Sequence, residues 1–518
     1  MKLEELKEKW DLIIIGGGIT GAGILREASR SKLATLLLEQ NDFAWGTSSR
    51  SSKLVHGGLR YLKEGKIFLT YDSVRERQRL LKEAPGLIEP IDFLTPVYKN
   101  IGPPGWMLEI GLSIYDLMAF ERQHKHYDIK GFTSLVPEIK TDKLCGGFKF
   151  IDAQVDDARL VLRVINEAVD FGGVALNYTQ VREIIRNKNQ EVTGIVVEDV
   201  ESHITRTLST RAVINATGSW AEKLHPSPMK NLHIRPLRGS HLILPSNILP
   251  LKYAVSFVHP KDNRPIFAIP WEGGILVGTT DVDYSEKLSK EPNISKEEAK
   301  YLMEGINIYF PSLKISLKDC IATIAGVRPV LSKGGNVNPS KESREHIVWI
   351  DKGLVTITGG KLTTFRKLAW DALDAVKPFL VTPRLLGKGE SVFSKPAIPP
   401  SSLGISLDIW KRLSGRYGKG AINLIENSDP KDLSIIPGTN TIWAEIPFTS
   451  KNENIRHLSD LFLRRTRIGL LTDEGGLPYI DKIKGLCAKI IPWDEERWQQ
   501  EINMYRELWE KNYRCVYE

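Results

Sequence analysis

Cysteine is scarce in this chain, which has four in 518 residues: Cys145, Cys320, Cys487 and Cys515. No two of them form a CxxC pair. This absence argues against a cysteine-ligated metal centre or a redox-active dithiol, so no metal site is expected. Scattered cysteines of this kind are typical of reduced structural thiols in a reducing compartment.

Long hydrophobic runs are also lacking. A bilayer-spanning helix needs about 20 apolar residues, and the longest candidate, residues 106–120, is interrupted by Glu109 and Asp116. The N-terminal sequence MKLEELKEKW is charged and leads directly into a strand-like run, which does not resemble a secretory signal. We therefore expect a cytoplasmic protein whose membrane contact would be peripheral.

Length and charge set broad limits on the class of protein. A chain of 518 residues is too long for one compact core, so two or three domains are expected. Lysine and arginine outnumber aspartate and glutamate by 71 to 63, giving a formal net charge of +8. A basic chain suits a nucleic acid, an anionic membrane surface or an anionic substrate, and composition alone does not choose among them.

The first chemical motif is a glycine-rich loop. Residues 11–15 (DLIII) predict a buried parallel strand, and the next residues fit GxGxxG at Gly16, Gly18 and Gly21. In such a loop, the first glycine permits a tight turn, the second lets the backbone approach a pyrophosphate, and the third lets the helix pack on the strand. The alternative is a glycine turn in another strand–loop–helix unit.

An acidic residue at the end of the next strand strengthens this interpretation. Residues 34–38 predict a second strand, and Glu39 follows it. A carboxylate at this position accepts hydrogen bonds from a ribose and repels the extra phosphate of NADP. The pattern predicts a dinucleotide site, although the loop alone does not separate FAD from NAD.

A second loop is rich in small hydroxyl side chains. Residues 41–62 read NDFAWGTSSRSSKLVHGGLRYL and contain five serines or threonines before Gly57 and Gly58. Such a segment can lie along an extended cofactor and supply backbone and hydroxyl hydrogen bonds. The alternative, a serine-rich surface linker, is disfavoured because a helical pattern follows at once.

Together these motifs resemble the FAD-dependent glycerol-3-phosphate dehydrogenases, within the flavoproteins related to D-amino-acid oxidase. The resemblance begins with GGGITGAGI and TSSRSSKLVHGGLRYL and continues in order to about Leu471. The further matching segments are residues 155–160 (VDDARL), 215–218 (NATG), 239–241 (GSH), 269–271 (IPW), 278–281 (GTTD), 326–329 (GVRP), 359–368 (GGKLTTFRKL) and 463–467 (LRRTR).

The resemblance implies FAD as cofactor and a set of cofactor-binding positions. In such flavoproteins the Ala-Thr-Gly turn and the GGK segment approach the cofactor, and a helix N-terminus near the flavin would stabilise negative charge. The implied cofactor-binding residues are Gly16, Gly18, Gly21, Glu39, Thr47, Ser48, Ser52, Lys53, His56, Gly57, Ala216, Thr217, Gly218, Gly360 and Leu362.

The resemblance also implies a glycerol-3-phosphate pocket. The matching substrate-binding positions are Arg60, Tyr61, Thr280 and Arg344, and the catalytic ones are His241, Arg328 and Lys361. Arg344, Arg60 and Lys361 are expected to hold the phosphate, because guanidinium and ammonium groups bind phosphate oxygens well. His241 is expected to be the base at the reacting hydroxyl, because imidazole titrates near about 6.5.

Plainer interpretations stand beside these. A lone arginine is most often a solvated surface residue, and a lone histidine is more often structural than catalytic. His56 is expected to contact FAD and not to catalyse.

The predicted fold class is α/β, with a Rossmann-like FAD-binding domain, an antiparallel-sheet domain that caps the substrate, and a mainly helical C-terminal domain. The predicted FAD-binding domain is discontinuous and comprises residues 1–90, 145–230 and 325–385. The capping domain comprises residues 91–144 and 231–324, and the C-terminal domain comprises residues 386–518.

The C-terminal domain carries aromatic residues at helical spacing, including Trp498, Tyr505 and Trp509. The favoured interpretation is packing within that domain. The alternative is a face that contacts a membrane surface or a second copy of the chain in a homodimer. The resemblance implies a quinone as electron acceptor and peripheral attachment to the inner face of the cell membrane, with oxygen as acceptor in oxidase members.

The leading hypothesis is oxidation of sn-glycerol 3-phosphate to dihydroxyacetone phosphate by hydride transfer to FAD. One alternative is an FAD-dependent oxidase of an amine or a 2-hydroxy acid. Another is a non-catalytic basic flavoprotein that binds a membrane or nucleic acid. The cluster of basic residues favours a doubly charged phosphate over a single carboxylate, and no nucleic-acid partner is expected.

Overall fold

The structure is a computed structural model. It describes residues 2–63, 65–225, 233–332, 345–381, 385, 387–400 and 404–515, except for the side chains of Arg60 and Lys63.

A six-stranded sheet forms the base of the cofactor-binding half. In spatial order its strands are β17 (His346–Asp351), β18 (Leu354–Gly359), β10 (Val213–Asn215), β1 (Leu12–Ile15), β2 (Thr35–Leu38) and β6 (Val174–Leu176). All neighbours are parallel except the edge pair β17–β18. The central strands are continuous apolar runs because both faces of the sheet are covered.

Two further layers cover this sheet. One face packs against helices α1 (Ile19–Arg30), α6 (Asp157–Asp170) and α8 (Phe365–Val376), which share a large apolar core with it. The other face packs against a three-stranded antiparallel sheet made of β7 (Thr179–Arg186), β8 (Val192–Asp199) and β9 (Thr205–Ser209). This three-layer arrangement leaves the carboxyl ends of β1, β2 and β10 free to form a ligand site.

A second large sheet has nine strands. They are β3 (Ile88–Tyr98), β4 (Lys125–Tyr127), β5 (Leu144–Val155), β11 (His233–Pro245), β12 (Ala254–Val258), β13 (Pro265–Trp271), β14 (Gly274–Gly278), β15 (Val282–Asp283) and β16 (Ala322–Ser332). Every pair is antiparallel except β12–β3.

Five helices accompany this sheet and the segment that leads into it. They are α2 (Leu59–Lys63), α3 (Ile67–Glu83), α4 (Gly105–Ala119), α5 (Ile129–Leu135) and α7 (Lys296–Tyr309). Residues of α5 and α7 share one apolar core with the sheet, and Leu108 and Leu112 of α4 belong to another. Val74 of α3 packs against Tyr115 and Ala119 of α4.

The C-terminal part is helical. It contains α9 (Leu407–Tyr417), α10 (Gly420–Glu426), α11 (Glu445–Asn452), α12 (Leu458–Asp460), α13 (Ile468–Leu471), α14 (Ile480–Cys487) and α15 (Glu495–Asn512). A π-helical turn, Leu461–Arg465, follows α12. Trp498, Tyr505 and Trp509 are buried among these helices, so the packing interpretation of the aromatic spacing is correct and the exposed-face alternative is wrong for them.

The predicted fold class is confirmed, but the strand pairing departs from the predicted domain boundaries. β5 and most of β16 lie in segments assigned to the FAD-binding domain, yet both belong to the nine-stranded sheet. Strand pairing between distant segments leaves no local signal in the sequence, so local patterns could not assign these two strands to the nine-stranded sheet. No helix among the described residues combines the length and apolarity needed to cross a bilayer.

Candidate active site

One cavity of about 1660 Å³ lies between the two large sheets. It is larger than the roughly 300–1,000 Å³ of a typical small-molecule site. Its wall contains the glycine-rich loop, Glu39, the serine-rich loop and the turns at residues 216–218 and 358–363. Strands β3, β12 and β13 and the N-terminal part of α4 line the opposite side.

The geometry of the glycine-rich loop matches the steric argument made from its sequence. Gly16 has φ +112°, and a Cβ there would lie 2.6 Å from the Ala216 carbonyl oxygen. A Cβ on Gly21 would lie 1.9 Å from the Gly16 carbonyl oxygen, so this glycine lets α1 cross the loop closely. Gly16 and Gly18 line the cavity, whereas Gly21 serves the packing behind it.

The start of α1 and the end of β2 meet at the cavity. The Gly17 amide donates to Glu39 Oε2 at 2.7 Å, and the Asn41 amide donates to Glu39 Oε1 at 2.9 Å. Burial raises the pKa of Glu39, against the effect of these two backbone hydrogen bonds. The N-cap residue of α1, Gly18, has no side chain of its own, and the positive end of the helix dipole lies at this loop. These features fit the ribose and pyrophosphate of FAD.

The serine-rich loop lies along the same cavity. Thr47, Ser48 and Ser52 line it, as predicted for cofactor contacts. The Ser48 hydroxyl also accepts a hydrogen bond from the Ile19 amide at 3.0 Å, which ties this loop to the start of α1. The Thr47 hydroxyl donates to the Val327 carbonyl at 2.5 Å. The loop is therefore anchored to both halves of the cavity.

Besides Gly21, two residues predicted to contact the cofactor do not line the cavity, Lys53 and Gly57. Lys53 is fully buried, and its Nζ donates to Asp157 at 2.8 and 3.0 Å and to the Ser49 carbonyl at 2.5 Å. Gly57 packs against Tyr115, since a Cβ there would lie 2.2 Å from the Tyr115 hydroxyl. The structure thus gives Lys53 an ion-pairing role and Gly57 a packing role in place of direct cofactor contact.

The two remaining cofactor turns lie at the ends of β10 and β18. Ala216, Thr217 and Gly218 line the cavity, and so do Gly360 and Leu362. The helix N-terminus expected near the flavin begins with a 3-10 turn, Leu362–Thr364, and α8 starts at Phe365. The left-handed backbone of Gly360, with φ +79°, makes the turn that leads into it.

Lys361 and Tyr61 form one side of the predicted substrate pocket. Both line the cavity. Lys361 Nζ lies 3.6 Å from the centre of the Tyr61 ring and donates to the Ser73 hydroxyl at 3.1 Å. His56 also lines the cavity, and its ring stacks on Tyr61 with the ring centres 6.3 Å apart. The structure therefore places an ammonium, a phenol and an imidazole together.

Arg328 forms a second polar group on the cavity wall. Its Nη1 donates to Asp281 Oδ1 at 3.1 Å and its Nη2 to the Thr279 hydroxyl at 2.9 Å. Thr279 and Asp281 line the cavity beside it. Sequence reasoning selected only Thr280 from this GTTD segment and missed both neighbours.

Thr280 points away from the cavity. Its hydroxyl donates to Glu298 at 2.5 Å and accepts from the Ser240 amide at 2.9 Å, and the residue is buried. Its neighbours Thr279 and Asp281 line the cavity, whereas Thr280 does not. The structure therefore gives Thr280 a supporting role and not the predicted substrate contact.

His241 lies behind the cavity wall. The residue is buried and does not line the cavity, and its Nε2 shares a hydrogen bond of 2.9 Å with the Ser52 hydroxyl. Burial, reinforced by the positive charges of Arg328 and Lys53, holds the pKa of His241 well below its ordinary value of 6.5. The imidazole is therefore neutral near neutral pH and reaches the cavity only through Ser52.

Two predicted phosphate ligands fall outside the described part of the structure. They are Arg344 and the side chain of Arg60. No cluster of three or more metal-ligating side chains occurs in the described residues.

Comparisons with known proteins identify the family of this chain. Residues 11–366 match the FAD dependent oxidoreductase family, and residues 366–498 match the C-terminal domain of alpha-glycerophosphate oxidase. The aerobic glycerol-3-phosphate dehydrogenase of Bacillus subtilis is 34% identical over 96% of this chain and 94% of its own. That of Staphylococcus haemolyticus is 33% identical over the same shares.

A solved structure extends the likeness to the fold. The glycerol-3-phosphate dehydrogenase from Bacillus halodurans, complexed with FAD, has a TM-score of 0.75 and 26% identity, and the match covers 98% of this chain and 96% of that one. The predicted FAD dependence is therefore confirmed. The chain belongs to the FAD-dependent oxidoreductase family, and within it to the aerobic glycerol-3-phosphate dehydrogenases.

Proposed function

We propose that the protein oxidises sn-glycerol 3-phosphate to dihydroxyacetone phosphate. The observation that carries this proposal is the placement of Lys361 and Arg328 on the wall of the cavity that holds the dinucleotide loops. Two cations beside one FAD site suit a substrate with a phosphate at one end and a secondary alcohol near the flavin. When bound, FAD supplies the hydride acceptor.

The side chains around Lys361 and Arg328 orient these two cations. Ser73 and the Tyr61 ring fix the Lys361 ammonium, and Asp281 and Thr279 fix the Arg328 guanidinium. Groups held in this way lose little further freedom when a substrate binds, which favours one orientation of the alcohol. Lys361 is the better candidate for phosphate, because a carboxylate already faces Arg328.

We also propose His56 as the group that takes the hydroxyl proton, in place of His241. His56 lines the cavity beside Tyr61 and Lys361, whereas His241 is buried and has a lowered pKa. A neutral imidazole with a lowered pKa is a weak proton acceptor. His241 would then position Ser52, to which it is hydrogen-bonded.

Steady-state kinetics with an artificial electron acceptor test both proposals. Glycerol 3-phosphate should give a much higher kcat/KM than glycerol, a D-amino acid or a 2-hydroxy acid. For the base, His56→Asn should remove the acidic limb of the kcat/KM–pH profile, and His241→Asn should keep that limb. A preferred amino-acid substrate would refute the first proposal, and loss of the limb in His241→Asn alone would refute the second.

We further propose that the exposed face of α3 and α4 rests on the membrane surface, and that a quinone reaches the cavity there. On this face Phe68, Trp106 and Leu117 are 87%, 65% and 73% exposed. The other exposed apolar side chains of the face are Ile67, Tyr71, Met107, Ile110, Ile114 and Phe120. A continuous apolar surface of this kind is unusual on a protein that contacts only water.

The charges around this face also suit a lipid surface. The two carboxylates of α4, Glu109 and Asp116, both bind the His124 ring, at 3.1 and 2.7 Å. Burial alone would lower the pKa of His124, but the hydrogen bonds to the two carboxylates raise it. The exposed Arg75 guanidinium lies 5.3 Å from the Phe120 ring centre. A protonated His124 thus offsets part of the negative charge of the two carboxylates, and Arg75 adds basic charge beside this face, which suits contact with anionic lipid.

The same helix connects the outer face to the cavity. Met107, Ile110 and Ile114 of α4 line the cavity, and Tyr98, Phe257 and Phe267 continue the apolar wall inward. An apolar quinone could therefore move from lipid toward the flavin without crossing water. Comparing a quinone analogue with oxygen as acceptor tests this route, and oxygen turnover that exceeds quinone turnover would refute it.

A further inference from the structure

Arginines of the C-terminal segment Arg464–Arg467 contact two loops of the cofactor cavity from behind. All three arginines in this segment are buried, and none lines the cavity. The segment begins in the last two residues of the π-helical turn Leu461–Arg465, and Arg467 has a left-handed φ of +62°. Interruptions and strained residues of this kind are concentrated at functional sites.

The first contact is with the loop that follows β2. Arg465 binds both carboxylate oxygens of Asp42, and its Nη2 lies 2.9 Å from Oδ1. Arg464 Nε donates to the same carboxylate. Burial alone would raise the pKa of Asp42, but Arg465 and Arg464 hold it at about 2. Asp42 lies three residues after Glu39, and the intervening Gln40 and Asn41 line the cavity.

The second contact is with the serine-rich loop. Arg467 Nη1 donates to the Ser49 carbonyl at 3.3 Å, and its Nη2 donates to Asp157 at 2.5 Å. Asp157 in turn accepts from the Ser51 amide at 2.9 Å and from the Ser51 hydroxyl at 2.7 Å. Lys53 Nζ joins the same carboxylate. The cavity-lining residues Ser51 and Ser52 are therefore held through Asp157.

We propose that the Arg464–Arg467 segment positions the two cofactor loops, so that the C-terminal domain determines FAD affinity without touching the cavity. A buried ion pair contributes little net stability, because desolvating the charges offsets their attraction. Its fixed fork geometry does, however, select one arrangement of the loops. This inference does not depend on which substrate is oxidised.

Binding of FAD to the apoprotein tests the proposal, with Arg467→Lys as the main variant. The Arg467 guanidinium binds Ser49, Asp156 and Asp157 at the same time. A lysine keeps the positive charge, but its single ammonium group cannot reproduce this set of hydrogen bonds. Arg163→Lys is the matched control, because Arg163 is also buried and also links α6 to the C-terminal part, where its Nη1 donates to the Gly415 carbonyl of α9 at 2.7 Å. The partners that the structure describes for Arg163 all lie outside residues 40–53: Glu167, Phe393, Ser394, Ser414 and Gly415.

The FAD dissociation constant should rise about tenfold to hundredfold in Arg467→Lys, as expected for losing hydrogen bonds between charged groups. In Arg163→Lys it should stay within about twofold, even if both variants lose similar thermal stability. Hydrogen exchange should become faster in residues 40–53 of Arg467→Lys only. Equal changes in the two variants, or an unchanged dissociation constant in Arg467→Lys, would overturn the proposal.

A milder variant keeps the test decisive if Arg467→Lys does not fold. Tyr178→Phe removes a hydroxyl that donates to Asp460 at 2.6 Å, and Asp460 is the second carboxylate bound by Arg464. The Tyr178 amide also donates to the Asn41 carbonyl. We expect the FAD dissociation constant to rise about threefold to tenfold, the effect of one lost buried hydrogen bond. No change in a fully folded Tyr178→Phe would contradict the positioning role.

Discussion

Replacing Trp106 by alanine should weaken binding to lipid vesicles by about two orders of magnitude. The side chain is 65% exposed at the start of α4. A tryptophan carries about 200 Å² of surface, so about 130 Å² is available for insertion into lipid. At about 25 cal/mol per Å², its removal costs about 3 kcal/mol, which is more than a hundredfold in partition coefficient. This value assumes complete insertion and is therefore an upper bound.

Sedimentation with vesicles that contain anionic lipid measures this effect directly. Leu407→Ala is the matched control, because Leu407 is 69% exposed but lies on α9 in the C-terminal domain. The flavin content of each variant shows whether the fold is intact. If Trp106→Ala and Leu407→Ala bind vesicles as the parent protein does, the proposed face is wrong. If Trp106→Ala changes only self-association, the face joins two copies of the chain.

Three further predictions concern the cofactor loops and the substrate pocket. Gly21→Ala places a Cβ 1.9 Å from the Gly16 carbonyl oxygen. This clash should destabilise the holoenzyme by about 1–3 kcal/mol and release FAD. The control Gly485→Ala should do neither, because no atom lies within 4 Å of the added Cβ. Lys361→Met should lower kcat/KM for glycerol 3-phosphate by about tenfold or more and leave that for glycerol nearly unchanged; equal losses would remove Lys361 from phosphate binding. The pKa of Asp42 falls from 3.8 to about 2 on folding. The ionised Asp42 therefore adds about 2 kcal/mol to the free energy of unfolding above pH 4, and this contribution is lost as the pH falls toward 2. Urea unfolding across this pH range should show that loss, and Asp42→Asn should lack it.

Local steric rules explain why the cofactor loops could be predicted from the sequence. Gly21 is needed because of the Gly16 carbonyl, five residues earlier in the chain. Gly16 is needed because of the Ala216 carbonyl, which follows the neighbouring strand β10. Glu39 likewise follows directly from the end of an apolar strand. Motifs of this kind carry their own structural context, and the structure places them together.

The positions that sequence reasoning misjudged depend on distant partners. Lys53 lies in the serine-rich segment, and the family resemblance implied that it contacts the cofactor, but its partner Asp157 is 104 residues away and buried with it. His241 was chosen for its motif, and only the fold shows that Ser52 separates it from the cavity. Burial and long-range pairing decide these cases, and neither can be read from local spacing.

The exposed apolar face of α3 and α4 could not be predicted from the sequence for a different reason. Glu109 and Asp116 interrupt the run at residues 106–120, so the sequence alone excludes a spanning helix and says little more. The structure pairs both carboxylates with His124 and turns the apolar side chains outward. Which side of a mainly apolar helix stays exposed is set by the tertiary packing of its neighbours.

An anaerobic titration of the purified holoenzyme tests the central claim most directly. Glycerol 3-phosphate should bleach the visible absorbance of the oxidised flavin, with one equivalent of dihydroxyacetone phosphate formed for each flavin reduced. A D-amino acid or a 2-hydroxy acid should leave the spectrum unchanged. Bleaching by either of these, with no response to glycerol 3-phosphate, would contradict the proposed function.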